Sequence, residues 1–451
     1  MGELGAAESV VERALAAAAG DEADAACMVF DRNLTRFAES RIHQNIGERS
    51  ASLAVRVVRE GRIGVATTSA ADDESIASAV RLAADLASRS EPVPGFRGLH
   101  RSAPRGPDLP AWDAETAAAT PLEKAEALRA IFETGRARAI RFAGAFSTGR
   151  AALAVGNTWG VRQSAAFTSA EASMIALSGA ASGFATALAR RRSAIDLPLL
   201  ADEAAGRATL LRDAEQSLDP GEYTVILEPP ALVEIFEWMN TITFSGRAWE
   251  DGSSFFVGNL GCRILSPSFT LADDALDPDF LPFPFDLEGL PKRRVALIDR
   301  GVIGGPLVDK VASDRLGIEP TASAASLPGE ERGIGLHLSM AGGEHSVEEL
   351  IASTGRGVWV TRFHYLNGLL DPKSALMTGM TRDGTFLIRD GEVVARLPNL
   401  RWTQSMVEAL GAIEGLTRKR RTVGTFWNPL GGTIAPTARI GRWRFTGASG
   451  G

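Results

Sequence analysis

Few side chains in this sequence have the type and spacing for chemistry. Histidine occurs at five positions, His43, His100, His337, His345 and His364. No two of them stand at the helical spacing of a zinc site, so neither HExxH nor HExxxH is available to hold a hydrolytic metal. Glu234 and Glu237 lie three apart on an apolar predicted helix. They share one face and could act as a paired acid and base, although amphipathic decoration is the plainer account. In Thr361-Arg362-Phe363-His364-Tyr365-Leu366-Asn367, strand alternation places Arg362, His364 and Leu366 on one face. A cation beside a titratable ring suits a peptide carboxylate or carbonyl, whereas a structural, hydrogen-bonded histidine is the bland alternative. His43 is read in the same way.

Carboxylates are densest at Asp273, Asp274, Asp277, Asp279, Asp286 and Glu288. Calcium prefers such ligands, but the spacing fits no EF-hand, and Pro278, Pro282, Pro284 and Pro291 point to a solvated acidic loop. Gly301-Val302-Ile303-Gly304-Gly305-Pro306 lacks the lysine and hydroxyl of a phosphate loop and reads as a turn.

The elements that must position these groups follow from periodicity and punctuation. Val10 to Ala19 reads as a helix, with strands at Ala25 to Phe30, Leu53 to Val57 and Ile63 to Ala66, then an acidic-capped helix from Ala71. Five prolines between Glu91 and Asp113 mark a linker or long loop. Thr120, Pro121 and Glu123 form a capping box ahead of the stripe Leu128, Ile131 and Phe132, with Gly135 as the stop. Strands follow to Ala189, turning at Asn157-Thr158-Trp159-Gly160, and a helix spans Ala201 to Gln216. Thr224 to Leu227 is a buried strand leading through Pro229-Pro230 into a helix from Ala231 to about Asn240. Beyond it strands predominate, with Asp383-Gly384 and Asp390-Gly391 read as hairpin dipeptides. The expected units are residues 1–90, a linker over 91–113, a middle unit over 114–217 and a strand-rich domain over 222–451. No fixed-period repeat is visible.

The chain has 451 residues with 48 basic and 55 acidic side chains, a net charge of -7, which excludes a broad nucleic-acid footprint. Cys27 and Cys262 form neither a disulfide framework nor a metal knuckle, and the acidic start lacks a signal-peptide pattern, so a reducing cytoplasm is expected. The uncharged run Ala172 to Ala189 is too rich in serine and glycine for a membrane span and reads as strands.

Several segments, taken in order, resemble one family. They are Thr35-Arg36-Phe37-Ala38-Glu39-Ser40-Arg41-Ile42-His43-Gln44-Asn45, then Phe285-Asp286-Leu287-Glu288-Gly289-Leu290-Pro291 with Val295 to Gly301. Thr361 to Asn367, Leu370-Asp371-Pro372 and Gly379 to Ile388 complete the set. They are similar to the motifs of the TldD/PmbA family of peptidase-related proteins, with Asp286, Glu288 and Gly289 at the Asp-x-Glu-Gly-x-Pro signature. The resemblance implies an α+β fold, an α/β N-terminal region with a larger strand-rich C-terminal domain, assembled as a dimer around a cavity. It also implies paired subunits acting on unfolded or short peptides: a TldD-type chain holding zinc on HExxxH plus a distant cysteine, and a TldE (PmbA)-type chain without them. Here the window for that motif, about Glu237 to Ile242, reads Glu-Trp-Met-Asn-Thr-Ile, and no cysteine follows Arg421. Ser245-Gly246-Arg247 and Gly252-Ser253-Ser254-Phe255 resemble the metal-free branch.

The expectation is therefore a TldE-like subunit with no cofactor of its own, zinc residing in a TldD-like partner. Arg362, His364, Asn367 and Asp371 are the substrate-channel candidates. A self-sufficient homodimeric hydrolase using Glu234, Glu237 or Asp286, and a non-catalytic peptide-binding module, stay open as alternatives.

Overall fold

The computed structural model describes residues 2–277, 280–327, 332–425, 428 and 430–448. Its N-terminal half comprises α1 (Gly2–Ala17), β1 (Glu22–Ala38), β2 (Arg41–Arg59), β3 (Arg62–Thr68), α2 (Asp73–Arg89), α3 (Ala114–Ala117), α4 (Pro121–Ala137), β4 (Arg141–Asn157), β5 (Arg162–Ser178), β6 (Ala181–Ala189) and α5 (Leu197–Thr209). The strands form one six-stranded sheet in the order β3-β2-β1-β4-β5-β6. Two helix, three-strand, helix halves thus meet at the central β1–β4 pair, so the first and middle sequence units share a single sheet. Small residues let the helices close on it. A Cβ at Gly64 of β3 would lie 2.1 Å from the Ala83 carbonyl of α2, and one at Gly183 of β6 would lie 2.2 Å from the Ala204 carbonyl of α5.

Local signals explain the helix starts. Asp72 caps α2 by accepting from the Ser75 amide, and Thr120 with Glu123 forms the expected capping box on α4. Between these helices, residues 91–113 carry no helix or strand but are tied down as a strap. The Val93 amide donates to the Gly61 carbonyl at 2.8 Å, the Leu99 amide to Glu22 at 2.8 Å, and Gln163 to the Pro104 carbonyl at 2.6 Å.

The C-terminal half contains β7 (Gly221–Leu227), α6 (Pro229–Met239), α7 (Gly246–Glu250), β8 (Leu271–Asp273), β9 (Val295–Asp299), β10 (Val302–Ile303), α8 (Lys310–Leu316), β11 (His337–Met340) and α9 (Val347–Ala352). It continues with β12 (Arg356–Asp371), β13 (Leu376–Arg389), β14 (Glu392–Arg396), β15 (Leu400–Ser405), α10 (Met406–Gly411), β16 (Ile413–Val423) and β17 (Gly432–Ala448). The path β17-β15-β13-β12-β7 closes on itself, because β17 also pairs with β7. Inside this ring Phe363 stacks on Trp443 at 5.5 Å and meets Trp402 at 4.8 Å. Burying each large apolar side chain contributes about 1.5–3 kcal/mol, so this cluster is a main anchor of the domain. Among the described residues, no helix is long and apolar enough to cross a membrane.

The two Asp-Gly dipeptides part company. Asp390-Gly391 closes the β13–β14 hairpin as expected, both residues with positive φ (50° and 81°). Asp383-Gly384 does not turn the chain. Thr385 pairs with Val360 and Arg382 with Arg362, so Asp383 and Gly384 together oppose Thr361 in a β-bulge inside β13. Left-handed residues serve either geometry, and only the partner strand decides which forms.

Candidate functional site

The chain enters the site from β7. The Glu228 amide donates to the Val360 carbonyl of β12 at 3.0 Å, and Pro229-Pro230 then open α6, which lies against β12. This apposition brings Glu234 of α6 within electrostatic reach of Arg362 of β12. Burial pushes the Glu234 carboxyl up to about 8; Arg362 opposes that rise and Glu237 adds to it. At neutral pH Glu234 therefore carries a proton beside a second carboxylate, an arrangement suited to donating a hydrogen bond or a proton.

Arg362 does not project freely. Its Nε donates to Asp383 Oδ2 at 2.8 Å, a second nitrogen bonds the same oxygen, and the guanidinium lies 4.1 Å from the centre of the Phe184 ring. Asp383 also accepts from Ser182 of β6 at 2.6 Å, so the bulge aims one carboxylate at both halves of the molecule. His364 is exposed beside this pair, and partial burial with the charges of Arg382 and Arg362 lowers its pKa and keeps it neutral.

The other two channel candidates are placed elsewhere. Asn367 Oδ1 accepts from the Leu369 amide at 2.8 Å, and Asp371 accepts from the Lys373 amide at 3.2 Å and from the Ser374 hydroxyl at 2.6 Å. Both shape the end of β12. Leu366 also leaves the face assigned to it. Tyr365 is left-handed (φ 60°), and three β12 steps oppose two on β13 between His364 and Asn367. This bulge turns Leu366 toward Trp402 and the core, on the side of Phe363.

The window about Glu237 to Ile242 spans the end of α6 and a π-helical turn, Asn240–Phe244. Asn240 is committed to Gly335, donating to its carbonyl at 2.7 Å and accepting from its amide at 2.8 Å. One carboxylate, one engaged amide and the buried Ile242 do not make a zinc site, which needs nitrogen or sulfur donors. Among the described residues no three His, Cys, Asp or Glu side chains converge for a metal.

The acidic segment is not the solvated loop that its composition indicates. Asp273, Asp286 and Glu288 are buried, while Asp279 lies outside the described residues. Asp273 pairs with buried Lys292 at 2.9 Å. Asp286 accepts from the amides of Glu288, Leu290 and Ala324, and Glu288 pairs with Arg56 at 3.0 Å and His100 at 3.4 Å. Arg56 in turn holds Asp24 in a bidentate pair. Burial disfavours the Glu288 charge, but Arg56 and His100 outweigh it and bring its pKa down to about 2; burial and Glu288 push Asp286 up to about 6. Gly289 is left-handed (φ 81°), and a Cβ there would lie 2.6 Å from Val161. Glu288 thus ties the C-terminal half to β2 and, through Arg56, to β1, while Asp286 holds the motif loop together and Gly289 lets it approach Val161 and Gln163 at the start of β5. Carboxylate spacing alone could not name Asp24, Arg56 or His100 as their partners.

A groove of about 550 Å³ runs between the six-stranded sheet and the C-terminal residues Gly424, Thr425, Asn428, Leu430 and Gly431. At its rim β2 has an open edge. β1 pairs along residues 41–58 of β2, whereas β3 pairs only along Leu53–Arg59, leaving 41–52 unpaired on that side among the described residues.

Residues 220–447 match the PmbA/TldA metallopeptidase C-terminal domain, and residues 31–87 match PmbA/TldA metallopeptidase domain 1. The chain is 25% identical over 166 residues to a metalloprotease of Methanothermobacter thermautotrophicus, an alignment covering 37% of this chain and 36% of that protein. It thus spans about a third of the length of the curated relatives it matches. TldE from Thermococcus kodakarensis has the same fold, with a TM-score of 0.86, 20% identity and coverage of 98% of this chain and 100% of that one. A suggested modulator of a DNA gyrase from Thermotoga maritima gives 0.84, 18%, 97% and 100%. With its C-terminal domain and domain 1 both matched and the fold shared throughout, the chain belongs to the PmbA/TldD family of metallopeptidase-related proteins.

Proposed function

We propose that this chain is a TldE-like, metal-free subunit that binds short or unfolded peptides for a zinc-bearing TldD-like partner. The observation that carries this reading is the window about Glu237 to Ile242. It spans the end of α6 and the π-helical turn after it, and offers a carboxylate, an amide tied to Gly335 and apolar side chains instead of a ligand set. The open edge of β2 beside the groove supports a role in holding peptide backbone, since unpaired strand edges capture extended chains through main-chain hydrogen bonds. Zinc chemistry belongs to the partner in this reading.

The test is peptide cleavage by the assembled pair. His364→Ala removes an exposed ring, and Arg362→Lys keeps the tie to Asp383 while losing its fork. Each is expected to lower kcat/KM about tenfold with assembly intact. Unchanged cleavage by both variants removes these residues from the site, and unchanged cleavage by the partner alone removes the whole subunit reading.

One observation favours a second reading, a self-sufficient homodimeric hydrolase: Glu234 holds a proton to about pH 8 next to Glu237. Peptide cleavage by the isolated chain, abolished by Glu234→Gln, would establish it.

A further inference from the structure

The groove floor is laid out by strand register. Arg32 of β1 pairs with Glu48 of β2 and with Gly149 of β4, and Gly149 pairs with Ser169 of β5. The β5–β6 ladder ends at Ala170 and Ala189, so one further step sets Arg190 beside Ser169. Residues directly opposite in antiparallel strands share a face, so Glu48, Arg32, Gly149, Ser169 and Arg190 form a row across the sheet, and all five line the groove. Small side chains keep the middle of that row low. The poles are charged and opposite in sign.

The three arginines of the groove differ in one respect. Arg32 pairs with Glu171 at 3.3 Å, and Arg150 pairs with Asp31 at 2.8 Å and Glu3 at 3.0 Å. Arg190 is 6% exposed and has no carboxylate partner among the described residues. One of its terminal nitrogens donates to the carbonyls of Leu281 and Pro282 at 3.3 Å and of Leu430 at 3.4 Å, and its Nε is buried with no partner among the described residues. Phe167 lies beneath the guanidinium at 4.9 Å. Burial without a counter-charge pulls this group down to about 9, the direction expected of a cation lacking its anion. Neutral carbonyls satisfy part of its donor set, and only an anion restores the charge balance.

We propose that Arg190 anchors a carboxylate of the peptide lying in the groove, its C-terminus in the first instance. The proposal rests on the peptide-binding reading above and gives it a direction, with the carboxylate end at β6. Glu48 supports that direction. It is exposed, lies in no ion pair among the described residues and stands four strands away, about 19 Å, where it suits a peptide's ammonium end. A fork of guanidinium donors over an aromatic ring is a geometry that recognises planar carboxylates.

The test uses the full chain, alone and with a zinc-bearing partner present. Calorimetry compares three unlabelled peptides of alanine, serine and leucine: one with a free C-terminus, its C-terminal amide, and the amide carrying an internal glutamate. Amidation is expected to weaken binding about tenfold to a hundredfold, the worth of a charge-assisted pair. A persistent loss in the glutamate peptide assigns the anchor to the C-terminus, and recovery assigns it to acidic side chains; both support a carboxylate anchor. Arg190→Gln is expected to erase the difference among the peptides. Should that variant fail to fold, the comparison on the unaltered chain still decides. Equal affinities for all three peptides overturn the anchor and leave peptide binding standing, whereas binding of none in either setting overturns both.

Discussion

Glu234 shows how a single side chain registers its surroundings. An unfolded glutamate titrates near ~4.3, and in the fold this carboxyl is pushed up to about 8, mainly by burial. The folded state therefore keeps a proton that the unfolded state loses, and stability falls as pH rises between these two values, then levels off. Glu234→Gln mimics the protonated form. It is expected to match the parent near pH 4 and to be more stable by about 1–3 kcal/mol at pH 9, read from thermal melts across that range. A parent–variant difference independent of pH would show an ordinary carboxyl. Much at this scale was legible beforehand: the Glu234/Glu237 spacing placed both groups on one helical face. The loss of Leu366 from the face of Arg362 and His364 was not, because it depends on left-handed Tyr365, a position where tyrosine carries no distinguishing sequence signal.

At the level of elements, close approach replaces chemistry as the constraint. Gly64 lets α2 lie directly on β3, with the Ala83 carbonyl and the Ala87 amide 2.1 and 2.2 Å from where a Cβ would stand. Gly64→Ala must lift α2 away from Val55, Val57 and the alanine face it buries, at an expected cost of about 2–3 kcal/mol in denaturant unfolding. Gly206, exposed within α5 with nothing near its virtual Cβ, gives the opposite sign; Gly206→Ala is expected to add about 0.5–1 kcal/mol through helix propensity. Equal stability of Gly64→Ala and parent would mean that the helix is not seated as described. Element identity was largely readable: the capping box at Thr120 and the strand before Pro229 stand where the sequence puts them. The pairing of β1 with β4 was not, since it joins segments over a hundred residues apart through small, interchangeable side chains. The same holds for Asp383-Gly384, whose local signal is that of a turn while its long-range partner makes it a bulge.

The two halves of the molecule are held together by charge as well as by apolar contact. Arg421 of β16 grips Glu203 of α5, Arg207 meets Glu228, and the Arg56–Glu288 pair closes the junction near β2. What these ties leave uncovered is the end of β12. There Tyr365 is 78% exposed, Leu369 61% and Leu370 51%, a run of large apolar side chains that a lone chain has no reason to present together. Tyr365 also holds a left-handed backbone, costing on the order of 1 kcal/mol, with its ring in solvent and little contact to offset it. Such strain fits a surface completed by another subunit, which the pairing proposed above calls for. Tyr365→Glu combined with Leu369→Glu is expected to leave the thermal melt of the isolated chain within about 1 kcal/mol of the parent, because neither side chain is packed. The same double variant is expected to weaken association by at least about tenfold, with the zinc-bearing partner or with a second copy, when followed by sedimentation velocity. If the variant assembles as tightly as the parent, the end of β12 is not at the interface, and the left-handed Tyr365 serves only the bulge that turns Leu366 into the core.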